Sequence, residues 1–349
     1  MPQTANADGK STGPPSKNLK ARVRNNIELL LILVLAAISL AFMATQSFGF
    51  AVRLVQIFCI WAILAVSLNL LIGYTGLLSV AHVGFFGIGA YAVAILTTNP
   101  AYQSLSTDTI PIIALPFFAA LPIGMLLAGL FALLVGSVLS RFRDDIFVLV
   151  SFSVAIIAHN VLLNWRSVTR GPFGIHEIAR PDLGFWAADG RVDFAIVSLI
   201  FLALVIYVCW LIVSSSFGRV LMAIREDEDA IQVFGYKATL FKLAVWVISA
   251  MMAALAGALV ASDQTFIDPN SFILLESIMM VAIVIMGGLG SIRGSVLGAM
   301  IFVLLQEGLR FVPFIPQGYV GQTRMIIFGL LLAALMLFRP QGLIGRYKL

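Results

Sequence analysis

Along the chain, apolar runs of about 20 residues alternate with short polar stretches, the length a helix needs to cross a hydrocarbon core. The pattern predicts ten spans, at 27–48, 52–72, 79–98, 110–139, 146–165, 192–213, 242–262, 272–289, 294–312 and 324–338. The fourth run is long and holds Pro111, Pro116 and Pro122, which predicts a kink or a separate outer segment ahead of the span. Only Gly290–Arg293 separates the eighth run from the ninth, so that turn is short enough to lie within the bilayer. Residues 1–26 are polar and lack periodicity, and predict a disordered tail. A cleaved signal peptide fits less well, because the polar lead-in is long and the apolar run after it approaches a spanning length. Residues 27–349 then form one membrane domain.

Composition agrees. The chain is 60% hydrophobic and 11% charged, against about 25% charged for an average soluble domain. That leaves too little polar side chain to cover a water-facing surface, so an all-α polytopic membrane protein is expected. The net charge of +5 does not point to nucleic acid, because the basic residues sit at the ends of apolar runs. With the tail placed inside, 15 of the 22 Lys and Arg fall on inner segments and seven on outer ones. This bias places both termini in the cytoplasm. The loop 166–191 then faces outward, and 214–241 is the largest inner segment between spans. Cys59 and Cys209 both lie inside apolar runs, which predicts neither a disulfide nor a metal site.

Residues 73–91, GYTGLLSVAHVGFFGIGAY, are rich in glycine and lie between apolar runs. Nucleotide binding does not explain them. Gly87–Ala92 fits GxGxxA but has no βαβ context, and Gly9-Lys10-Ser11 follows Thr4 where a P-loop needs its first glycine. Packing explains most glycines, since small residues let helices approach closely in lipid. Gly290, Gly294 and Gly298 form one such row. Ala250, Ala254, Ala258 and Ser262 form a second, and Ala253, Gly257 and Ala261 a third. The 73–79 turn is different. Non-helical backbone at membrane depth must be buried in protein or line a cavity, so Gly73, Gly76 and Ser79 are candidates for the wall of a solute path. A weak echo of this stretch in GGLGSIRGSVLGA suggests a parallel internal repeat.

Polar residues within the runs add Asn69, His82, Asn160 and Glu276 to the path candidates. The alternative role for such groups is interhelical hydrogen bonding, worth about 0.6–2 kcal/mol each. Glu276 and Glu307 are expected near the outer face. His82 has no second ligand at helical spacing, and no nucleophile–base pair is present, so neither a metal, another cofactor nor an enzyme activity is expected.

The inner segment SSSFGRVLMAIREDEDAIQVFGYKATLF has partial helical periodicity through Val220, Leu221, Ile224, Ala230, Ile231 and Phe234. Its acidic run, Glu226, Asp227, Glu228 and Asp229, is expected on the solvent side, with Gly235 as a helix C-cap. Anionic lipid repels such a run, so a protein groove suits it better than headgroups do.

Residues 229–235, DAIQVFG, resemble the EAAxxxG loop of ABC importer permeases, with Asp229 for Glu and Ile231 for the second Ala. The wider string GRVLMAIREDEDAIQVFGY is similar to the branched-chain amino-acid ABC permease family. So are GYTGLLSVAHVGFFGIGAY, NWRSVTRGPFGI, ESIMMVAIVIMGGLGSIRGSVLGA and IIFGLLLAALMLFRPQGLIGR, in family order over most of residues 67–346. The resemblance implies a multi-pass subunit of a bacterial inner membrane with a fold like that of vitamin-B12-type importers. Its implied partners are a homologous second permease subunit, two cytoplasmic ATP-binding subunits that hydrolyse the ATP, a periplasmic solute-binding protein, and lipid. It implies that Arg225, Glu226, Asp227, Glu228, Asp229, Ala230 and Gly235 belong to the ATPase-coupling loop.

The implied cargo is a branched-chain amino acid, with urea, short amides or aromatic acids as alternatives. Leu77, Ala81, Arg170 and Phe173 depart from the family pattern, where Gln, Gly, Gly and Asn are usual, and leave the exact cargo open. An ion-coupled secondary transporter is the rival from another class, and would need acids near mid-span.

Overall fold

In the computed structural model, residues 48–98, 114–142, 144–182, 190–309, 320–338 and 341–344 are described. The predicted tail 1–26 and almost all of the first predicted span lie outside them. Nearly every described apolar run is helical, because backbone in lipid must satisfy its own hydrogen bonds. In chain order the helices are α1 (Phe48–Thr75), α2 (His82–Thr97), α3 (Phe117–Leu139), α4 (Asp144–Asn164) and the short α5 (Arg166–Thr169). They continue with α6 (Arg191–Ser214), α7 (Ser216–Glu226), α8 (Glu228–Val233), α9 (Ala238–Gln264), α10 (Leu274–Gly287), α11 (Ile292–Gly308) and α12 (Val320–Phe338). Strands β1 (Ile175–His176) and β2 (Phe266–Ile267) pair antiparallel, Ile175 opposite Ile267.

Among the described residues, six helices are long and apolar enough to cross a membrane: α1, α3, α4, α6, α9 and α12. The predicted spans at 79–98, 272–289 and 294–312 are shorter than expected, at 16, 14 and 17 residues. Glycine turns at 76–81 and 288–291 take their ends out of the helix. At 1.5 Å per residue the 14-residue α10 is about 21 Å long, against a core of about 30 Å. The fourth predicted run starts late as well. Pro116, with φ −63° and ψ 147°, caps α3, and residues 114–116 ahead of it are not helical.

Helices α1 and α9 form the centre. Almost every residue from Cys59 to Thr75, and from Ser249 to Ser262, is buried. The rows of small residues explain the close approach. A Cβ on Gly89 of α2 would collide with the backbone of Ala254 on α9, and one on Gly257 with the backbone of Phe86 and Ala90. Lipid offers no hydrophobic drive between helices, so such close contact and its dispersion energy hold the pair together. Ser249 Oγ adds a hydrogen bond to the Ser67 carbonyl across the α1–α9 contact, at 2.6 Å. Outward faces of α3, α4, α6 and α12 carry Leu130, Leu134, Leu149, Ile157, Ile200, Leu330 and other large apolar residues.

Segments expected on one side of the membrane meet in space. At one end, Gly73 and Gly76 touch Arg225, Asn69 touches Gly290 and Ser291, and the backbone N–H groups of Leu343 and Ile344 donate to the Met286 and Gly287 carbonyls. At the other, Gln56 donates to the Arg191 carbonyl, and the 175–179 segment lies against 262–267.

Candidate functional site

The first glycine turn is a re-entrant loop. Gly76 takes a left-handed φ of 78° and ends α1. From there the chain climbs back beside the helix it has left. By His82 it is level with Ser67, eight residues before the end of α1, which is about 12 Å along the axis. His82 Nε2 lies 2.8 Å from Ser67 Oγ, and that hydroxyl lies 2.9 Å from the Leu64 carbonyl. A hydroxyl that gives its proton to Leu64 accepts one from His82 Nε2–H. Ser79, Val80, Ala81 and His82 are all buried. Side chains from neighbouring helices satisfy the loop: Val80 N–H donates to Ser151 Oγ of α4 at 3.1 Å, and Ser277 Oγ of α10 donates to the Val80 carbonyl. Ser79 Oγ accepts from Ala81 N–H at 3.3 Å. The loop is therefore irregular backbone sealed in protein, as membrane depth requires.

The second glycine turn joins α10 to α11. Gly288 and Gly290 have φ of 117° and 70°. Gly290 thus lies in the turn ahead of α11, not in a packing row on it, whereas Gly294 and Gly298 do pack, against Gly287 and the Ile283 carbonyl. Ser291 caps α11 by accepting from Gly294 N–H at 3.1 Å. Asn69 joins the two turns: its Nδ2 donates to the Ser291 carbonyl at 3.0 Å and its Oδ1 accepts from Gly290 N–H at 3.1 Å. A Cβ on Gly73 would land on Asn69 Oδ1. Only glycine leaves room for that amide.

The inner segment is two helices, not one. Asp227, extended at φ −157° and ψ 105°, breaks it and caps α8 by accepting from Ala230 N–H at 3.0 Å. Leu221 and Ile224 are buried while Glu226, Asp227 and Asp229 are exposed. Glu228 differs from its neighbours, because its carboxylate pairs with the buried ammonium of Lys242 on α9. Arg225 also turns inward. Its Nη1 donates to the Gly73 carbonyl, and its Cγ is 3.1 Å from where a Cβ on Gly76 would be. Ala230 is half-buried. Beyond it the tip carries an apolar surface, with Val233 87%, Phe234 77% and Tyr236 47% exposed. Gly235 closes the segment with φ 87°.

The remaining path candidates scatter. Asn160 lies on the outward apolar face of α4 and donates to the Ile156 carbonyl of its own helix. Glu276 is half-buried in the first turn of α10, one residue from the Ser277 that holds the re-entrant loop. Glu307 is buried. Among the described residues, no group of three His, Cys, Asp or Glu side chains is placed to hold a metal ion. Cys59 and Cys209 are both free thiols in the interior.

Sequence reasoning passed over Ser67, Ser151, Lys242 and Ser277. Lys242 had a signal, a cation opening an apolar run 14 residues after an acid. The serines had none, since small hydroxyl residues are ordinary in membrane helices.

At the far end, Asp263 near the end of α9 lies within electrostatic range of the guanidinium groups of Arg180, Arg53 and Arg191. Gly49, Arg53 and Gln56 share one face of α1, and Arg191 lies against that face.

Comparison with known proteins agrees with this architecture. The family model described as "Branched-chain amino acid transport system / permease component" matches residues 50–338. The chain is similar to the high-affinity branched-chain amino acid transport system permease protein LivM of Escherichia coli (strain K12), 31% identical over 345 residues, covering 92% of this chain and 75% of LivM. It is similar to BraD of Pseudomonas aeruginosa, a permease protein of the same description, at 28% over 302 residues, 82% of this chain and 92% of BraD. It also matches LivH of Escherichia coli (strain K12), again a permease of that description, at 24% over 301 residues, 82% of this chain and 91% of LivH. No solved structure matches. A buried helical bundle broken by two glycine turns, an inner segment of paired short helices, and a family match over most of the chain lead to one conclusion: this multi-pass inner-membrane protein belongs to the family of permease components of branched-chain amino acid transport systems.

Proposed function

We propose that the chain is one of two homologous membrane subunits of an ATP-binding-cassette importer, and that it forms half of the path for branched-chain amino acids. The path opens and closes as separate ATPase subunits bind and hydrolyse ATP in the cytoplasm. Cargo arrives from a periplasmic binding protein at the outer end, where loop 166–191 lies. The similarity to both LivM and LivH supports a paired arrangement of related permeases. The implied frame is a domain over 27–349 with ten helices, both termini inside, and the architecture of vitamin-B12-type importers.

The observation that carries this reading is the inner segment. Its tip exposes Val233, Phe234 and Tyr236 beside the carboxylates Glu226 and Asp229, while its root is fixed to the two central helices by Arg225 and Glu228. An apolar tip ringed by charge suits a protein groove, and a rooted segment transmits force. Reversing a 1:99 equilibrium takes about 5.5 kcal/mol of differential stabilisation, more than a loosely attached loop delivers.

Uptake of radiolabelled leucine into liposomes, with the partner permease, ATPase subunits and binding protein present, tests it. ATP-dependent accumulation is expected, together with reaction of cysteines placed in 166–182 with reagents added from outside. One observation favours the ion-coupled rival: Glu276 stands beside the buried re-entrant loop. Uptake without ATP that collapses with an uncoupler would establish that rival instead.

A further inference from the structure

We infer that Arg225 and Glu228 act as a pair of anchors, one on each side of a hinge at Asp227, that pass movement of the inner segment separately into α1 and α9. This rests on the importer reading above.

The argument is geometric. Arg225 lies in the last turn of α7 and Glu228 begins α8, so the two anchors sit on different short helices. Arg225 grips the last turns of α1, by a hydrogen bond to the Gly73 carbonyl and by packing its stem on Gly76. Glu228 grips α9 near its start, through Lys242. Asp227 between them is the single extended residue in the segment from Ser216 to Val233. A change in the angle between α7 and α8 therefore displaces the end of α1 relative to the start of α9. Those two helices form the buried centre, and α1 reaches the second glycine turn through Asn69. Movement entering at Gly73 thus has a route to Gly290 through Asn69.

Neither anchor is explained by stability alone. A buried ion pair roughly breaks even against an apolar pair of the same volume, and its best-attested use is to fix register. Arg225 and Glu228 face inward, so they are distinct from the exposed tip that meets a partner. They are positioning residues, acting through Gly73 and Lys242.

The test uses the full complex in liposomes, with leucine uptake and ATP hydrolysis measured together. Arg225→Ala and Lys242→Met are each expected to lower leucine moved per ATP hydrolysed by roughly two- to thirtyfold, the range for residues that carry coupling. Arg225→Lys, which keeps a donor within reach of Gly73, regains part of the loss. Because Lys242→Met leaves a carboxylate half-buried and the protein risks failing to fold, the reversed pair Glu228→Lys with Lys242→Glu is the second arm. It is expected to exceed either single change in leucine per ATP. Unchanged leucine per ATP in Arg225→Ala and Lys242→Met overturns the inference. So does loss of the ATPase subunits from the purified complex in the same proportion as uptake, since the residues would then be docking contacts. Absence of ATP-driven uptake by the unaltered complex would instead overturn the importer reading.

Discussion

Asn69 holds Gly290 across a sequence separation of 221 residues, its Oδ1 accepting the Gly290 N–H while its Nδ2 donates to the next carbonyl. One amide thereby satisfies the Gly290 donor, which no helix serves, and adds a second donor to the Ser291 carbonyl, which also accepts from Ser295 N–H of α11. The turn is buried, so water cannot replace it.

Asn69→Ala leaves the buried Gly290 N–H without its partner, at about 1–3 kcal/mol, while the Ser291 carbonyl keeps the Ser295 N–H. A lower unfolding temperature of the purified subunit in detergent is expected. Gly73→Ala should give a similar drop although it removes no hydrogen-bonding group, because the added methyl takes the place of Asn69 Oδ1. A harmless Gly73→Ala would contradict the clamp.

Phe234→Ser and Val233→Ser should leave the subunit's own stability unchanged, since both side chains are exposed. If the tip is a docking site, they are central contacts worth about 2 kcal/mol or more, roughly a thirtyfold loss of affinity for the ATPase subunit. Co-purification of that subunit measures it. Gly235→Val adds strain of about 1–2 kcal/mol at φ 87°, and should weaken the same association.

Gly89→Leu and Gly257→Leu force α2 away from α9. Overpacking costs about 1–3 kcal/mol or more, and here the colliding atoms are backbone, which has no rotamer to escape into. Low yield and a low unfolding temperature are expected. Gly321→Leu and Gly329→Leu are the controls, having nothing within 4 Å of the added Cβ, and should behave as the unaltered protein does.

His82→Phe removes a single buried hydrogen bond to Ser67. An effect of about 0.6–2 kcal/mol on unfolding is expected. A chelator or added zinc should leave the unfolding temperature of the purified subunit in detergent unchanged. A rise with one divalent ion that His82→Phe abolishes would establish a metal site there.

Much of the bundle was legible as sequence because the signals are local. Apolar run length marks a span, small residues four apart mark a close-packed face, and both act within a few turns of helix. The Gly89–Ala254 and Gly257–Phe86 contacts followed that logic. Span length was less legible. Apolar residues run through 79–81, so hydropathy starts the span at 79, whereas the partners Ser151 and Ser277 hold those residues in the loop and the helix begins at His82. The path candidates show the same divide, since Asn69 and His82 turned inward while Asn160, no less polar, points out from α4.

By itself the sequence determined the class of protein, the approximate places of its described helices and the acidic segment between α6 and α9, because each depends on residues close together in the chain. Only the tertiary structure decided which polar groups meet. Asn69 with Gly290, Arg225 with Gly73 and Glu228 with Lys242 are pairings across helices. Each arises because close packing leaves one buried donor facing one buried acceptor, and no pattern along the chain encodes that meeting.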